Sequence, residues 1–193
     1  LNHIVSPSEF YVGTNMIVPV QEGDQGLNRR IATAAGESLL EAAVKHQVGR
    51  FVHCSTVGVH GDVKVPPANE ESPYAPADIY QRTKLEGELL ARDFAAQKGL
   101  ALSVVRPTAI YGPGDLRLLK LFKLAVKKIT PVIGSGKIFY HMVYIDDLVQ
   151  GFILASERAE AIGQVFIIGG DENMILDDLL STIATITDSP DVK

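Results

Sequence analysis

The chain has a single cysteine, Cys54, so no internal disulfide can form and nothing in its sulfur content points to secretion. It has no apolar run long enough to span a bilayer and no charged-then-apolar segment at its start. A cytoplasmic protein with no membrane partner is the expectation. An excess of basic residues is also missing. Lys and Arg number 18 against 23 Asp and Glu, a formal net charge of −5. That argues against a nucleic-acid partner, because no broad positive surface is implied. There is no internal repeat and no low-complexity tract. What is present is a 193-residue chain with 46% hydrophobic and 21% charged residues. Such a chain can bury one good core and a small lobe.

From residue 31 onward, strand-like and helix-like segments alternate. Residues 32–47, ATAAGESLLEAAVKHQ, combine helix formers with an apolar stripe of Leu39, Leu40, Ala43 and Val44, and Gly49 follows as a stop. RFVHCS (50–55) and ALSVVRP (101–107) are short apolar runs suited to buried strands, the second ended by Pro107. Between them lie a polar, proline-rich loop over 61–77 and a helix that Asp78 can cap, running to Gln97 and stopped by Gly99. YGPGD (111–115) reads as a turn, 116–128 as an amphipathic helix and 137–145 as a strand. Asp146 and Asp147 open a further helix, 164–170 is a strand, and 176–186 is a last helix.

This alternation predicts an α/β fold with a parallel sheet and crossover helices, whose ligands lie beyond the carboxyl ends of the strands. HCST and RPTAIYG both sit at such ends. Residues 1–30 fit the pattern less well. EFYVGTNMIVPV within them reads either as a hairpin turning at Gly13, Thr14 and Asn15 or as a disordered or rearranged tail.

In DIYQRTKLEGE (78–88), Tyr80 and Lys84 stand four apart and share one helix face. A tyrosine in water titrates near ~10, too high for a base at neutral pH. A lysine ammonium beside it favours the phenolate, and the ring can then take or give a hydroxyl proton. Taken alone, the pair reads as the exposed face of a charged helix. Ser55 and Thr56 end the strand 50–55, where their hydroxyls either face a ligand or only satisfy backbone groups. Asp146 and Asp147 read as helix-start residues, and His53, His60 and His141 lack metal-ligand spacing, so no metal is expected. Lys120, Lys123 and Lys127 share one side of the 116–128 helix and read as a solvated face rather than a phosphate or membrane contact.

HCSTVGVHG, YQRTK, VVRPTAIYGPGD, YHMVYIDDLVQGF and GQVFIIGG occur in that order. Over residues 31–187 the ordered set resembles the extended short-chain dehydrogenase/reductases, specifically the NAD-dependent epimerase/dehydratase group. The resemblance implies a Rossmann-like doubly wound parallel sheet, incomplete at its N-terminal side, with a small C-terminal substrate lobe. Residues 31–112 would form the C-terminal part of the dinucleotide-binding domain. Residues 113–193 would mainly form the substrate-binding lobe, with 137–170 a candidate to return to the main sheet, and 1–30 stay unassigned.

The resemblance further implies NAD or NADP, undecided between them, and a small-molecule substrate, a nucleotide sugar being one candidate, oxidised or reduced at a carbinol carbon, lastingly or transiently as in epimerisation or dehydration. Thr56 would hold the substrate oxygen, Tyr80 would be the acid/base, and Lys84 would lower the tyrosine pKa and hold the nicotinamide ribose. Ser55, Pro107 and Thr108 would join Tyr80 and Lys84 along the cofactor, and Ala109 and Tyr140 would face the substrate. Family members often pair through the helices that here are 32–47 and 78–97, so a homodimer is expected.

The chain departs from the family pattern in four places. No glycine-rich turn of the form G-x-G-x-x-G or G-x-x-G-x-x-G is present, and GPG (112–114) and GSG (134–136) read as turns. The acidic residue that grips the adenosine ribose has no counterpart. With Leu1 rather than Met at its start, the chain is expected to be a fragment of a longer parent, binding NAD poorly alone and leaving a sheet edge unprotected.

Ala109 stands where many sugar-nucleotide members carry asparagine, and Tyr140 where many carry arginine. Losing that guanidinium removes a fork suited to phosphate. The change favours relatives acting on apolar alcohols, of the 3β-hydroxysteroid dehydrogenase or dihydroflavonol reductase type. A truncated, inactive relative serving as an interaction module is the reading from a different class. Calorimetric titration of the chain with NAD and with NADP separates these readings. Heat and a thermal shift with either mark the catalytic reading; neither signal with both cofactors marks the module or fragment.

Overall fold

The structure, a computed structural model, describes residues 11–13, 36–64, 66–116, 118–126 and 138–188. The chain divides into two units. One takes the described residues up to Pro107 together with Val149–Ile168, and the other takes Thr108–Leu148 and the described residues from Gly169.

Among the described residues, the first unit is built on a four-stranded parallel sheet. Its strands lie in the order β1 (Tyr11–Gly13), β2 (Phe51–Cys54), β3 (Leu102–Pro107) and β6 (Val165–Ile168). Every residue of β3 is buried, as the apolar run LSVVRP requires of an inner strand. Tyr11–Gly13 pairs in register with Phe51–His53, so this piece of the unassigned segment 1–30 is a strand of the main sheet. Thr14 and Asn15, the other turn residues of the expected hairpin, lie outside the described residues.

Side chains alternate across the sheet, and helices cover both faces. Phe51, Leu102 and Val104 pack against Leu40 and Ala43 of α1 (residues 36–45) and Ala91 and Ala95 of α2 (Ile79–Lys98). Ser103 points the other way and donates to the carbonyls of Ala155 and Ala161, at 3.2 and 2.7 Å. Ala155 lies in α4 (Ile145–Glu157), which therefore covers the opposite face. The layout is doubly wound.

The ends of α2 follow from its sequence. The Asp78 carboxylate accepts from the Gln81 N–H at 2.7 Å, satisfying an amide that the helix cannot. Gly99 closes the helix in the left-handed conformation, φ 69°, which costs a residue without Cβ nothing.

In the second unit, β4 (Ala109–Tyr111) runs parallel to β5 (Phe139–Tyr144), and β7 (Asn173–Ile175) pairs antiparallel on the other side of β5. Leu179, Leu180 and Ile183 of α5 (Leu176–Ile186) pack on Ala125 of α3 (Leu119–Ala125) to form its core. The helix expected over 116–128 is thus described over Leu119–Ala125, with 127 and 128 outside the described residues. Strands β4 and β7 were not expected; each is three residues long and too short to show an alternating pattern.

A short 3-10 turn, Val57–His60, follows β2 and ends at Gly61, whose φ of 60° and ψ of −136° suit glycine alone. Here the loop 61–77 folds back on the turn, with the Ala75 N–H donating to Val59 O at 3.1 Å. A Cβ on Gly61 would lie 1.9 Å from Ala75 O. Gly61→Ala is therefore expected to cost about 1–3 kcal/mol in urea denaturation, the strain of a misfitted backbone. A loss below ~0.5 kcal/mol, the ordinary surface value, would show that the loop yields.

Candidate active site

Arg106 is out of place by composition, a guanidinium in a buried apolar strand with 0% of its surface exposed. A buried charge is tolerated only when paired and hydrogen-bonded. Glu88 of α2, also 0% exposed, provides the pair. Arg106 Nε donates to Glu88 Oε2 at 3.0 Å and Nη2 to Oε1 at 2.5 Å, the forked geometry that suits a carboxylate. Nη1 donates to the Glu70 carbonyl at 2.9 Å and Nη2 to the Tyr74 hydroxyl at 2.8 Å, and the guanidinium lies 5.2 Å over the Tyr74 ring. His60 completes the set. Its Nδ1 faces the Pro73 carbonyl at 3.2 Å and donates to it, so Nε2 accepts from Arg106 Nη1 at 3.0 Å.

Tyr80, Lys84 and Glu88 recur at one helical turn and make a single stripe along α2. Glu88 faces the core. Lys84 is 8% exposed, and its ammonium donates to the carbonyl of Cys54 at the carboxyl end of β2. Tyr80 lies in the first turn of the helix and is 47% exposed. The stripe thus climbs from a buried ion pair to an open ring at the helix N-terminus, whose partial positive charge favours an anion.

The charges follow this burial. Burial pushes the Lys84 ammonium below the ordinary lysine value, with Cys54 and Glu88 pulling it partly back. Burial pushes the Glu88 carboxyl up, but hydrogen bonds from Arg106 and Ser55, then the charges of Arg106 and His53, overcome it and leave it below the usual carboxylate range. His53 is lowered to about 4, first by burial and then by Lys84, with Glu88 opposing. It is neutral near pH 7, and its Nε2 has no hydrogen-bond partner among the described residues.

The sequence-derived candidates fall as follows. Thr56 precedes the 3-10 turn and its Oγ1 accepts from the Gly58 N–H at 3.2 Å. Ser55, one residue earlier, is buried and donates to Glu88 Oε2 at 2.6 Å, so its hydroxyl supports the ion pair. Ser55 and Lys84 are brought together around Glu88 and the end of β2. Pro107 ends β3. Thr108, Ala109 and Tyr140 belong to the second unit. There Thr108 is buried with no hydrogen-bond partner for Oγ1 among the described residues, and Ala109 opens β4. Tyr140 packs on the apolar cluster around Leu180. Lys123 is exposed; Lys127 and the Lys120 side chain lie outside what is described.

Sequence reading missed Glu88 and Arg106. Two signals were there: Glu88 continues the spacing of Tyr80 and Lys84, and a lone arginine in an apolar strand demands a carboxylate. No group of residues suited to a metal occurs among the described residues. Nor is any described helix long and apolar enough to cross a membrane.

A parallel sheet wound on both faces, with a Tyr–Lys helix stripe at the carboxyl end of an inner strand, defines a Rossmann-like architecture. The chain belongs to the NAD dependent epimerase/dehydratase family, whose family model matches residues 21–169. It is 38% identical over 136 residues to a dTDP-glucose 4,6-dehydratase of Streptomyces niveus, covering 68% of this chain and 40% of that protein. It is 33% identical over 135 residues to the 3beta-hydroxysteroid-dehydrogenase/decarboxylase isoform 1 of Arabidopsis thaliana, covering 65% and 30%. Among solved structures, the UDP-glucuronic acid 4-epimerase from Bacillus cereus in complex with NAD superposes with a TM-score of 0.77 at 27% identity, covering 91% of this chain and 59% of that one. The chain therefore spans less than two thirds of the length of these relatives.

The buried neutral His53 makes stability depend on pH. A histidine whose folded pKa lies below its ordinary 6.5 costs nothing above pH 6.5 and destabilises as pH falls from 6.5 through about 4. The shift corresponds to roughly 3 kcal/mol when complete. Urea denaturation at pH 7 and pH 4.5 should show His53→Phe losing less stability than the wild-type chain over that interval. Equal losses would contradict the burial of a neutral ring.

Proposed function

We propose that this chain is the catalytic portion of an NAD-dependent epimerase or dehydratase that transiently oxidises a carbinol carbon of a nucleotide sugar. The observation that carries the reading is the stripe on α2. A buried lysine anchored to a strand-end carbonyl lies one turn below a half-exposed tyrosine at a helix N-terminus.

The residues present fit the nicotinamide-ribose end of NAD. Lys84 has three N–H donors and spends one on Cys54, leaving donors for ribose hydroxyls. The turn that would seat the pyrophosphate is not among these 193 residues, which is why the proposal concerns a portion of an enzyme. NAD, when bound, supplies the hydride acceptor.

The chain's own groups handle the proton and the oxygen. Tyr80 removes the proton from the substrate hydroxyl and later returns it. The Lys84 ammonium and the positive end of α2 stabilise its phenolate. Thr56 Oγ1 already accepts from Gly58, so its O–H is left to donate to the substrate oxygen. Ser55 acts from beneath, through Glu88. The dTDP-glucose dehydratase and UDP-glucuronic acid epimerase relatives support a nucleotide sugar as substrate. Pairing of two copies through α1 and α2 belongs to the same proposal, and the 40% exposed Leu89 on α2 supports it.

One observation favours a second substrate class. Tyr140 packs against the buried cluster of Ala125, Leu179, Leu180 and Ile183 and offers no cation to a diphosphate. With the hydroxysteroid dehydrogenase relative, this supports an apolar alcohol.

In the full-length protein, Tyr80→Phe should lower turnover by about 100-fold or more while leaving NAD affinity largely intact. Normal turnover in that variant would sink the assignment. Reduction of bound NAD by UDP- or dTDP-sugars, against sterol alcohols, decides the substrate class.

A further inference from the structure

Glu88 takes no part in the proton transfer just described, yet it is the most constrained member of the stripe. Its Oε2 accepts from Arg106 Nε and Ser55 Oγ, and its Oε1 accepts from Arg106 Nη2 at 2.5 Å and Tyr74 OH at 3.5 Å. A carboxylate held this way cannot turn without leaving the Arg106 charge unpaired in the core. Because α2 is a rigid helix, holding residue 88 sets the direction in which residues 84 and 80 face. The end of β2 grips the stripe at two successive turns: Ser55 holds Glu88 by its hydroxyl, and Cys54 holds Lys84 by its carbonyl.

We propose that Glu88, clamped by Arg106, is a positioning residue that sets the rotation of α2 and so holds the Lys84 ammonium against the Tyr80 ring. The proposal rests on the reading of Tyr80 and Lys84 as the proton-transfer pair. Charge alone argues for the opposite effect. A negative Glu88 opposes a phenolate on the same stripe, so its removal would favour the phenolate if α2 stayed in place. The other groups facing Glu88 are Arg106 and Ser55 from the strand ends, His53 from β2, Tyr74 from the loop 61–77, and Lys84 and Arg92 from α2 itself. His60 reaches it only through Arg106.

The test uses the 193-residue chain, labelled with carbon-13 at tyrosine Cζ, and follows Tyr80 by NMR through its titration. Its signal is assigned from Tyr80→Phe. Lys84→Met should raise the Tyr80 midpoint by about one pH unit or more, the effect of losing an adjacent cation. An unmoved midpoint there overturns the reading of the pair itself, whatever Glu88 does.

Glu88→Gln should raise the midpoint in the same direction, by about one unit. A fall, or no change while Lys84→Met does move it, overturns the positioning role alone. Glu88→Gln leaves Arg106 unpaired, which endangers the fold. Glu88→Gln/Arg106→Met therefore removes both charges and keeps a packed core. The same rise is expected in that variant, and a wild-type midpoint in it would overturn the proposal.

Discussion

Between β3 and α2 a guanidinium and a carboxylate meet with no exposed surface on either side. The first unit depends on this pair. Neither charge is tolerable there alone, because the core offers no water to solvate it; removing one partner of such a pair typically costs about 3–5 kcal/mol. The remaining donors of Arg106 must also be met. They reach out to Glu70, Tyr74 and, through an accepting ring nitrogen, His60. A loop with little regular structure of its own is thereby tied to the inner strands. Glu70 is used twice, since its side chain also accepts from the Ile167 N–H of β6 at 2.8 Å. One buried ion pair thus connects the loop, the helix and the strands that frame the candidate site.

The same arrangement grades the electrostatics of α2. At its buried turn the stripe carries a fully compensated charge. One turn up, burial pushes the Lys84 ammonium below the ordinary lysine value, Cys54 and Glu88 oppose it, and the ammonium donates to the Cys54 carbonyl. At the open end Tyr80 meets the positive terminus of the helix. His53, beneath Lys84, stays neutral, so the lysine is the cation nearest the tyrosine on its own helix face. The proton-transfer role proposed for Tyr80 and Lys84 rests on this gradient, from a charge protected from water to a half-exposed ring.

Much of this was legible in the residues. The limits of α2 follow from Asp78 and Gly99, whose side-chain oxygen and missing Cβ act within a few residues of chain. The inner strands were visible as apolar runs bounded by breakers, and the Tyr–Lys spacing was visible because a helix has a fixed period. Strands β4 and β7 were not, since three residues carry no period. Tyr11–Gly13 was not recognisable as a strand of the main sheet either, because its partner is Phe51–His53, far along the chain. Ser55 was read as a residue facing the cofactor, yet its hydroxyl turns to Glu88. Strand parity puts Ser55 on the α2 side, but only the folded helix brings a carboxylate there.

The sequence by itself determined the local order: which segments are helices or strands, where they stop, and that Tyr80 and Lys84 share a face. These are consequences of backbone geometry and of neighbours a few residues apart. Only the tertiary structure decided what anchors that face. Arg106 and Glu88 are separated by the last ten residues of α2, a short loop and most of β3, and each is an ordinary charged residue until the fold removes the water around it. Burial converts their attraction into a constraint on where α2 can point, and burial is a property of the packed chain.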